Sequence, residues 1–264
     1  MVAWCLGPSE SRAYASDVAG TWFGPIAVAA ADRLSARPGQ RVLDVACGAG
    51  RVGTAAAQRG ARVVGLDVSL PMLRVAARSV AGSRARDWLR ADAHALPFPD
   101  ASFDAACCPH GLMFFDAPER ALAELRRVVA PGGTVVATTW AARESNPHEV
   151  ALAESFGAHA RAAAGFFDSL FSLADHRALE RLALRAGLAD ARAERLQGEA
   201  VFPSRASYWR GLAWGRPLAD ELRALPAPDV RQIKEGSLAR MKPYAAERGF
   251  RSPMEAIVLV ARVP

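Results

Sequence analysis

Three aspartates stand at or near the ends of three successive apolar runs. Asp44 lies in Arg41-Val-Leu-Asp-Val45, Asp67 follows Ala61-Arg-Val-Val-Gly-Leu66, and Asp92 follows a run from Trp88 to Ala91. Between the first two lies Ala46-Cys-Gly-Ala-Gly50, in which Gly48, Gly50 and then Gly53 spell GxGxxG. A glycine bend between a strand and a helix lets bare backbone approach a ligand, and the helix start offers N–H groups with no partner. Taken alone, such a bend is either a plain turn or the mark of a dinucleotide site. The aspartates separate these readings. Asp67 comes 19 residues after Gly48, the distance at which a carboxylate can accept both hydroxyls of a ribose. Aspartate also caps helices and turns, but caps at three consecutive strand ends would be a coincidence. An acidic wall repels a pyrophosphate. It suits a ligand that carries positive charge and many donors, such as an amine, a ribose and an adenine amino group.

These residues need strand ends to stand on. Residues 11–36 have apolar positions at Val18, Trp22, Ile26, Ala29 and Ala30, a helical spacing. A strand at 41–45 is followed by an alanine-rich helix closed by Gly60, and a strand at 61–66 by a helix that Ser69 caps and Pro71 enters. Strands are expected near 88–91, 103–108 and 134–140, with a helix over 118–129 stopped by Pro131-Gly132-Gly133. This alternation predicts βαβ units and a parallel sheet covered on both faces. Residues 143–172 and 203–249 read as irregular helical stretches, 174–186 as a helix, and about 191–201 and 254–263 as the last two strands. The expected fold class is α/β: a Rossmann-like, doubly wound, mostly parallel seven-stranded sheet with helical lid insertions. One domain spans 1–264. Residues 41–140 form its ligand-binding core, 174–202 and 254–264 complete that core, and 1–36, 143–172 and 203–249 form a lid.

On these elements the motifs resemble those of class I S-adenosylmethionine-dependent methyltransferases. Val42-Leu-Asp-Val-Ala-Cys-Gly-Ala-Gly50 resembles the family's first motif, and Val64-Gly-Leu-Asp-Val-Ser69 with Pro71-Met-Leu73 its second. Arg90-Ala-Asp-Ala93 with Leu96-Pro-Phe-Pro-Asp-Ala-Ser-Phe-Asp104 is similar to the third and fourth, and Glu124–Gly133 to the stretch before the fifth strand. The nearest subgroup methylates quinone precursors, sterols and secondary metabolites. The resemblance implies S-adenosylmethionine as cofactor. Asp44 and the Ala46–Gly50 backbone, including Gly48 and Gly50, would hold its methionine part. Asp67 would take the ribose hydroxyls, with Val68 and Met72 against the adenine. Asp92 and the Ala93 N–H would take the adenine edge, and Pro109 and His110 would border the sulfonium. Ala46 stands where the family usually has glycine, so the backbone there is expected to avoid positive φ.

The chemistry that follows is methyl transfer to an oxygen or carbon of a small, apolar or aromatic acceptor. Tyr14 and Trp22 could cover the sulfonium by a cation–π contact or simply pack on the sheet. A hydroxyl acceptor would call for a base. His110, at a strand's carboxyl end, is the best-placed histidine, while His148, His159 and His176 belong in or near the lid. Phe156, Phe166, Phe167, Phe171, Tyr208, Trp209 and Trp214 give the lid an apolar character. Three other readings are a nicotinamide oxidoreductase, disfavoured by Asp44 and the Asp92 motif, an S-adenosylmethionine binder whose lid performs a ring closure, and, last, an RNA methyltransferase. The RNA methyltransferase is disfavoured because Cys107-Cys-Pro-His110 replaces the Asn/Asp-Pro-Pro-aromatic run of enzymes that methylate base amino groups.

Composition supports the small-molecule reading. The chain has 264 residues, 51% hydrophobic and 23% charged, too apolar for a disordered protein. No apolar run reaches membrane-spanning length and no signal peptide is read. The net charge of +6 invites a nucleic-acid partner, yet 31 of 33 basic residues are arginines dispersed among acids, so none is expected. Cys5, Cys47, Cys107 and Cys108 lack metal or redox spacing, so no metal site is expected and a reduced cytoplasmic setting is.

Overall fold

The computed structural model describes residues 7–18, 23–79, 86–157, 159, 163–214 and 218–264. Cys5 and Trp22 lie outside these.

The strands β1 (Arg41–Val45), β2 (Arg62–Asp67), β3 (Arg86–Arg90), β4 (Phe103–Pro109), β5 (Val129–Trp140), β6 (Ala189–Phe202) and β7 (Phe250–Arg262) form one sheet in the order 3-2-1-4-5-7-6. The first five run parallel, and β7 runs antiparallel between β5 and β6. Period-2 alternation divides the sheet's two cores. Val42, Val63, Ala105, Cys107, Val136 and Val258 face α2 (Phe23–Leu34) and α3 (Arg51–Gln58). Leu43, Leu66, Ala106, Cys108, Val135 and Leu259 face α5 (Pro118–Val128) and α8 (His176–Arg185). Helix α5 shows why these segments are helical: Pro118 occupies the first turn, and Ala121, Leu122, Leu125 and Val128 bury one stripe. Helix α4 (Leu70–Ser79) packs on β2 and β3.

A third core lies beyond the carboxyl ends of β4 and β5. It joins Trp140, Phe202 and Phe250 to α6 (Pro147–Gly157), α7 (Ala164–Leu170), α9 (Arg205–Trp209), α10 (Leu218–Ala224) and α11 (Ala227–Arg240). Strands β6 and β7 are longer than their apolar runs predict and stay paired out to Phe202–Phe250. Residues 203–249 are therefore the connection at the far end of one long hairpin.

Other departures have local causes. Of the expected helix over 11–36, the described residues form α1 (Pro8–Ala13), a wide π-type turn at Tyr14–Val18, and α2, with 19–22 outside the described set. Asp17 on that turn pairs with Arg210 at 2.6 and 2.8 Å, and Glu10 pairs with Arg223, so the N-terminal segment is fastened to residues 205–224. Strand β5 starts at Val129 rather than 134, pairing with Phe103 before a bulge carries it through Pro131-Gly132-Gly133. Two histidines expected in or near the lid lie away from the lining of the cleft described below. His148 is fully buried between Trp140 and Phe202, with Nδ1 3.2 Å from Ser252 Oγ. His176 begins α8, which packs on α5 and β6. His159 lies 3.8 Å from Asp229 at the start of α11.

Candidate functional site

The chain leaves β1 toward β2 and β3, then returns to build β4 and β5 on the other side. In an open sheet the crevice at such a reversal, beyond the strands' carboxyl ends, is where ligands bind. A cleft with about 420 Å³ of space opens there. Its core side is Ala46, Cys47, Gly48, Ala49, Arg51 and Val52 after β1, with Pro109 and His110 after β4; Tyr14, Phe23, Ile26 and Ala27 close the other side.

The bend after β1 is held by the carboxylates beneath and beside it. Asp44 is fully buried and does not line the cleft. Its Oδ2 accepts the Gly53 N–H at 2.8 Å, in the first turn of α3, and its Oδ1 lies 3.5 Å from the Cys107 thiol. Burial outweighs these bonds and pushes its carboxyl up to about 7. Asp67 joins two strand ends: Oδ2 accepts the Gly48 N–H and Oδ1 the Ser69 N–H, both at 2.8 Å. Burial raises its pKa too, against the pull of the Ser69, Gly48 and Val68 amides. Asp92 is exposed at the end of β3. Its Oδ1 accepts the His94 N–H at 2.8 Å and faces His94 Nδ1 at 2.8 Å, which holds the carboxyl below its usual range. The strand-end acids thus sit in three surroundings: sealed, shared with the bend, and open.

The bend itself is left-handed three times, with φ +54° at Ala46, +52° at Gly48 and +72° at Gly50. This corrects the expectation for Ala46, which adopts the positive φ that a β-carbon disfavours. The short turn out of β1 demands it, at a cost of roughly 1–2 kcal/mol relative to glycine. Gly50 is required by space as well as φ. A Cβ there would stand 2.4 Å from Trp88 Cη2 and 3.2 Å from Ala76 Cβ. Met72 is buried against Ala49, with Tyr14 and Ala15 alongside. Val68 is exposed and Ala93 buried.

His110 also has positive φ, +52°. Thr138 on β5 fixes it: the His110 N–H donates to the Thr138 carbonyl at 2.9 Å, and Nδ1 lies 2.5 Å from Thr138 Oγ1. Its ring stands edge-on to Phe23, 4.9 Å between centroids, and to Trp140, 4.6 Å.

The cleft therefore gathers Tyr14, Ala46, Gly48, Pro109 and His110 from the sequence-derived set. Asp67, Val68, Asp92 and Ala93 continue along the ends of β2 and β3. Asp44, Gly50 and Met72 lie under or behind the bend. Sequence reasoning missed Phe23 and Arg51 as cleft walls and Trp88 as the bend's backing. Gly65, inside β2, carries a signal for the last of these: a Cβ there would meet Trp88 Cζ3 at 2.3 Å, and a mid-strand glycine marks such close approach. No comparable signal marks Phe23. Among the described residues no group of three or more His, Cys, Asp or Glu could hold a metal ion.

Comparison with known proteins places this cleft in context. Residues 43–137 match the family described as a methyltransferase domain. The demethylmenaquinone methyltransferase of Renibacterium salmoninarum is 48% identical over 108 residues, 40% of this chain and 43% of that protein. The chain thus spans less than half the length of that relative. Among solved structures, Haemonchus contortus phosphoethanolamine N-methyltransferase 2, in complex with phosphomonomethylethanolamine and S-adenosylhomocysteine, shares the fold with a TM-score of 0.62 and 19% identity, over 97% of this chain and 57% of that one. The [4+2]-cyclase SpnF does so at 0.56 and 24%, over 91% and 81%.

Proposed function

We propose, from the premise that residues 43–137 belong to the methyltransferase-domain family, that this chain transfers the methyl group of S-adenosylmethionine to an oxygen or carbon of a small apolar, quinone-like acceptor. The observation that carries the reading is the cleft at the sheet's reversal point, bounded by a bare-backbone bend that Asp67 ties to the end of β2. The named residues fit the cofactor. A carboxylate has about four acceptor positions, so Asp67 keeps capacity for two ribose hydroxyls while holding Gly48 and Ser69. Gly48 presents no side chain to the cleft. Asp92, exposed and kept ionised, offers an acceptor to the adenine amino group, with Val68 and Met72 beside the ring. Asp44 acts at one remove, fixing the bend from beneath as a positioning residue.

S-adenosylmethionine supplies an already activated methyl group. The chain's task is then to orient the acceptor and exclude water. Phe23, Ile26, Ala27, Val52 and Pro109 line the cleft with apolar surface that suits an aromatic acceptor. His110 borders it with its ring fixed by Thr138, placed to take the proton of an acceptor hydroxyl. Tyr14 covers the same opening from the N-terminal segment.

The test is turnover. The full chain, incubated with S-adenosylmethionine and a panel of reduced naphthoquinones and phenols, is expected to form S-adenosylhomocysteine and methylated acceptor in equal amounts. Acceptor consumed without S-adenosylhomocysteine would replace this reading with that of a cyclase-like binder. No reaction with any apolar acceptor, together with methylation of RNA, would replace the acceptor class.

A further inference from the structure

A second cleft, about 410 Å³, lies between α1 and α4 and is lined by Pro8, Arg12, Pro71, Arg74, Val75 and Arg78. It is separate from the first. Val75 packs on the small cluster of Ala49 and Met72, which stands between the two openings.

Three arginines converge on this cleft and none has an acidic partner. Several arginines on the lid and core do have carboxylate partners, as in Arg59–Asp32, Arg127–Glu124, Arg210–Asp17 and Arg223–Glu10. No carboxylate approaches Arg12, Arg74 or Arg78 among the described residues, and the remaining residues of the sequence include no Asp or Glu. Arg74 and Arg78 stand one helical turn apart, a like-charge spacing that weakens a helix. Arg12 faces them from α1. A solvated surface would spread such charges apart; here two elements distant in sequence bring them around one hollow.

We propose that this cleft binds the diphosphate group of a small molecule. Guanidinium groups recognise phosphoryl oxygens through paired N–H donors. Two phosphoryl groups bring about three negative charges near neutral pH, which matches three guanidiniums. The bound group bridges α1 to α4 and removes the repulsion between Arg12 and the α4 arginines. It thereby holds α1, and the Tyr14 turn that follows it, against the core. Binding at this site does not depend on the methyl-transfer reading.

Calorimetric titration with inorganic pyrophosphate, with no nucleoside present and at fixed ionic strength, tests the proposal. The wild type is expected to bind with one site per chain. The variant Arg74→Ala/Arg78→Ala is expected to bind at least tenfold more weakly and Arg12→Ala several-fold more weakly. Arg192→Ala, outside the cleft, should match the wild type. All four positions are exposed, and circular dichroism checks that each variant is folded. The proposal is overturned if pyrophosphate does not bind, if chloride at equal ionic strength abolishes binding in all proteins alike, or if the double variant binds as the wild type does. Binding to phosphatidylglycerol vesicles without binding to pyrophosphate would also overturn it, in favour of a lipid headgroup.

Discussion

Replacing Gly50 with alanine is expected to destabilise the protein by about 3 kcal/mol. Two costs add. At φ +72° a β-carbon is strained by roughly 1–2 kcal/mol. The new Cβ would also stand 2.4 Å from Trp88 Cη2, and overpacking of this kind costs roughly 1–3 kcal/mol. The indole is already tightly seated, because Gly65 on β2 meets the adjoining Cζ3 and Cε3 of the same ring. Urea unfolding of Gly50→Ala, Trp88→Ala and the double variant separates the two costs. The double variant should recover the packing part and keep the strain part. A Gly50→Ala protein within about 0.5 kcal/mol of wild type, the range of neutral surface changes, would contradict the tightness of this bend.

The second large effect is a pH dependence centred on Asp44. Its carboxyl titrates near 7 in the folded protein and near 3.8 when unfolded. Between those values the folded state binds the extra proton, so Asp44 lowers stability as pH rises from about 4 to above 7. A shift of about three units corresponds to about 4 kcal/mol. Asp44→Asn removes the titration while its amide oxygen can still accept the Gly53 N–H. Unfolding free energies at pH 5 and pH 8 are the measurement: about two of those three units are crossed in that interval, so the wild type should lose about 2.6 kcal/mol more than the variant. Parallel losses would show that Asp44 is ionised in the folded protein throughout, contrary to its burial. Taking the difference between the two proteins cancels groups common to both, Asp67 and Asp92 included.

The parallel half of the sheet is legible in the sequence because each strand is a short apolar run closed by a polar residue and a turn. Buried strands leave no alternative for such runs. The same feature exposes Asp44, Asp67 and Asp92 as strand-end residues. What the sequence hides is how one carboxylate differs from the next. Asp44 is sealed under α3, because its position within β1 points it at Gly53 and Cys107. Asp92 is open, because it follows β3. Positive φ at Ala46 is hidden too, since alanine ordinarily avoids it and only the geometry of the turn out of β1 imposes it.

The helical segments are less legible. Residues 203–249 bury Tyr208, Leu212, Leu222 and Ile233 against Trp140, Phe202 and Phe250, contacts set by tertiary placement rather than by an even stripe. The placement of α1 and the turn after it rests on ion pairs to Arg210 and Arg223, almost two hundred residues or more away, which no local window contains.

Calorimetric titration of S-adenosylhomocysteine into the wild type and Asp67→Ala addresses the central claim, that the strand-end acids and the bend form a nucleoside site. The account predicts one site per chain in the wild type and at least a hundredfold loss of affinity in the variant, about 2.7 kcal/mol. Absence of heat in the wild type, or equal affinity in the two proteins, would contradict it.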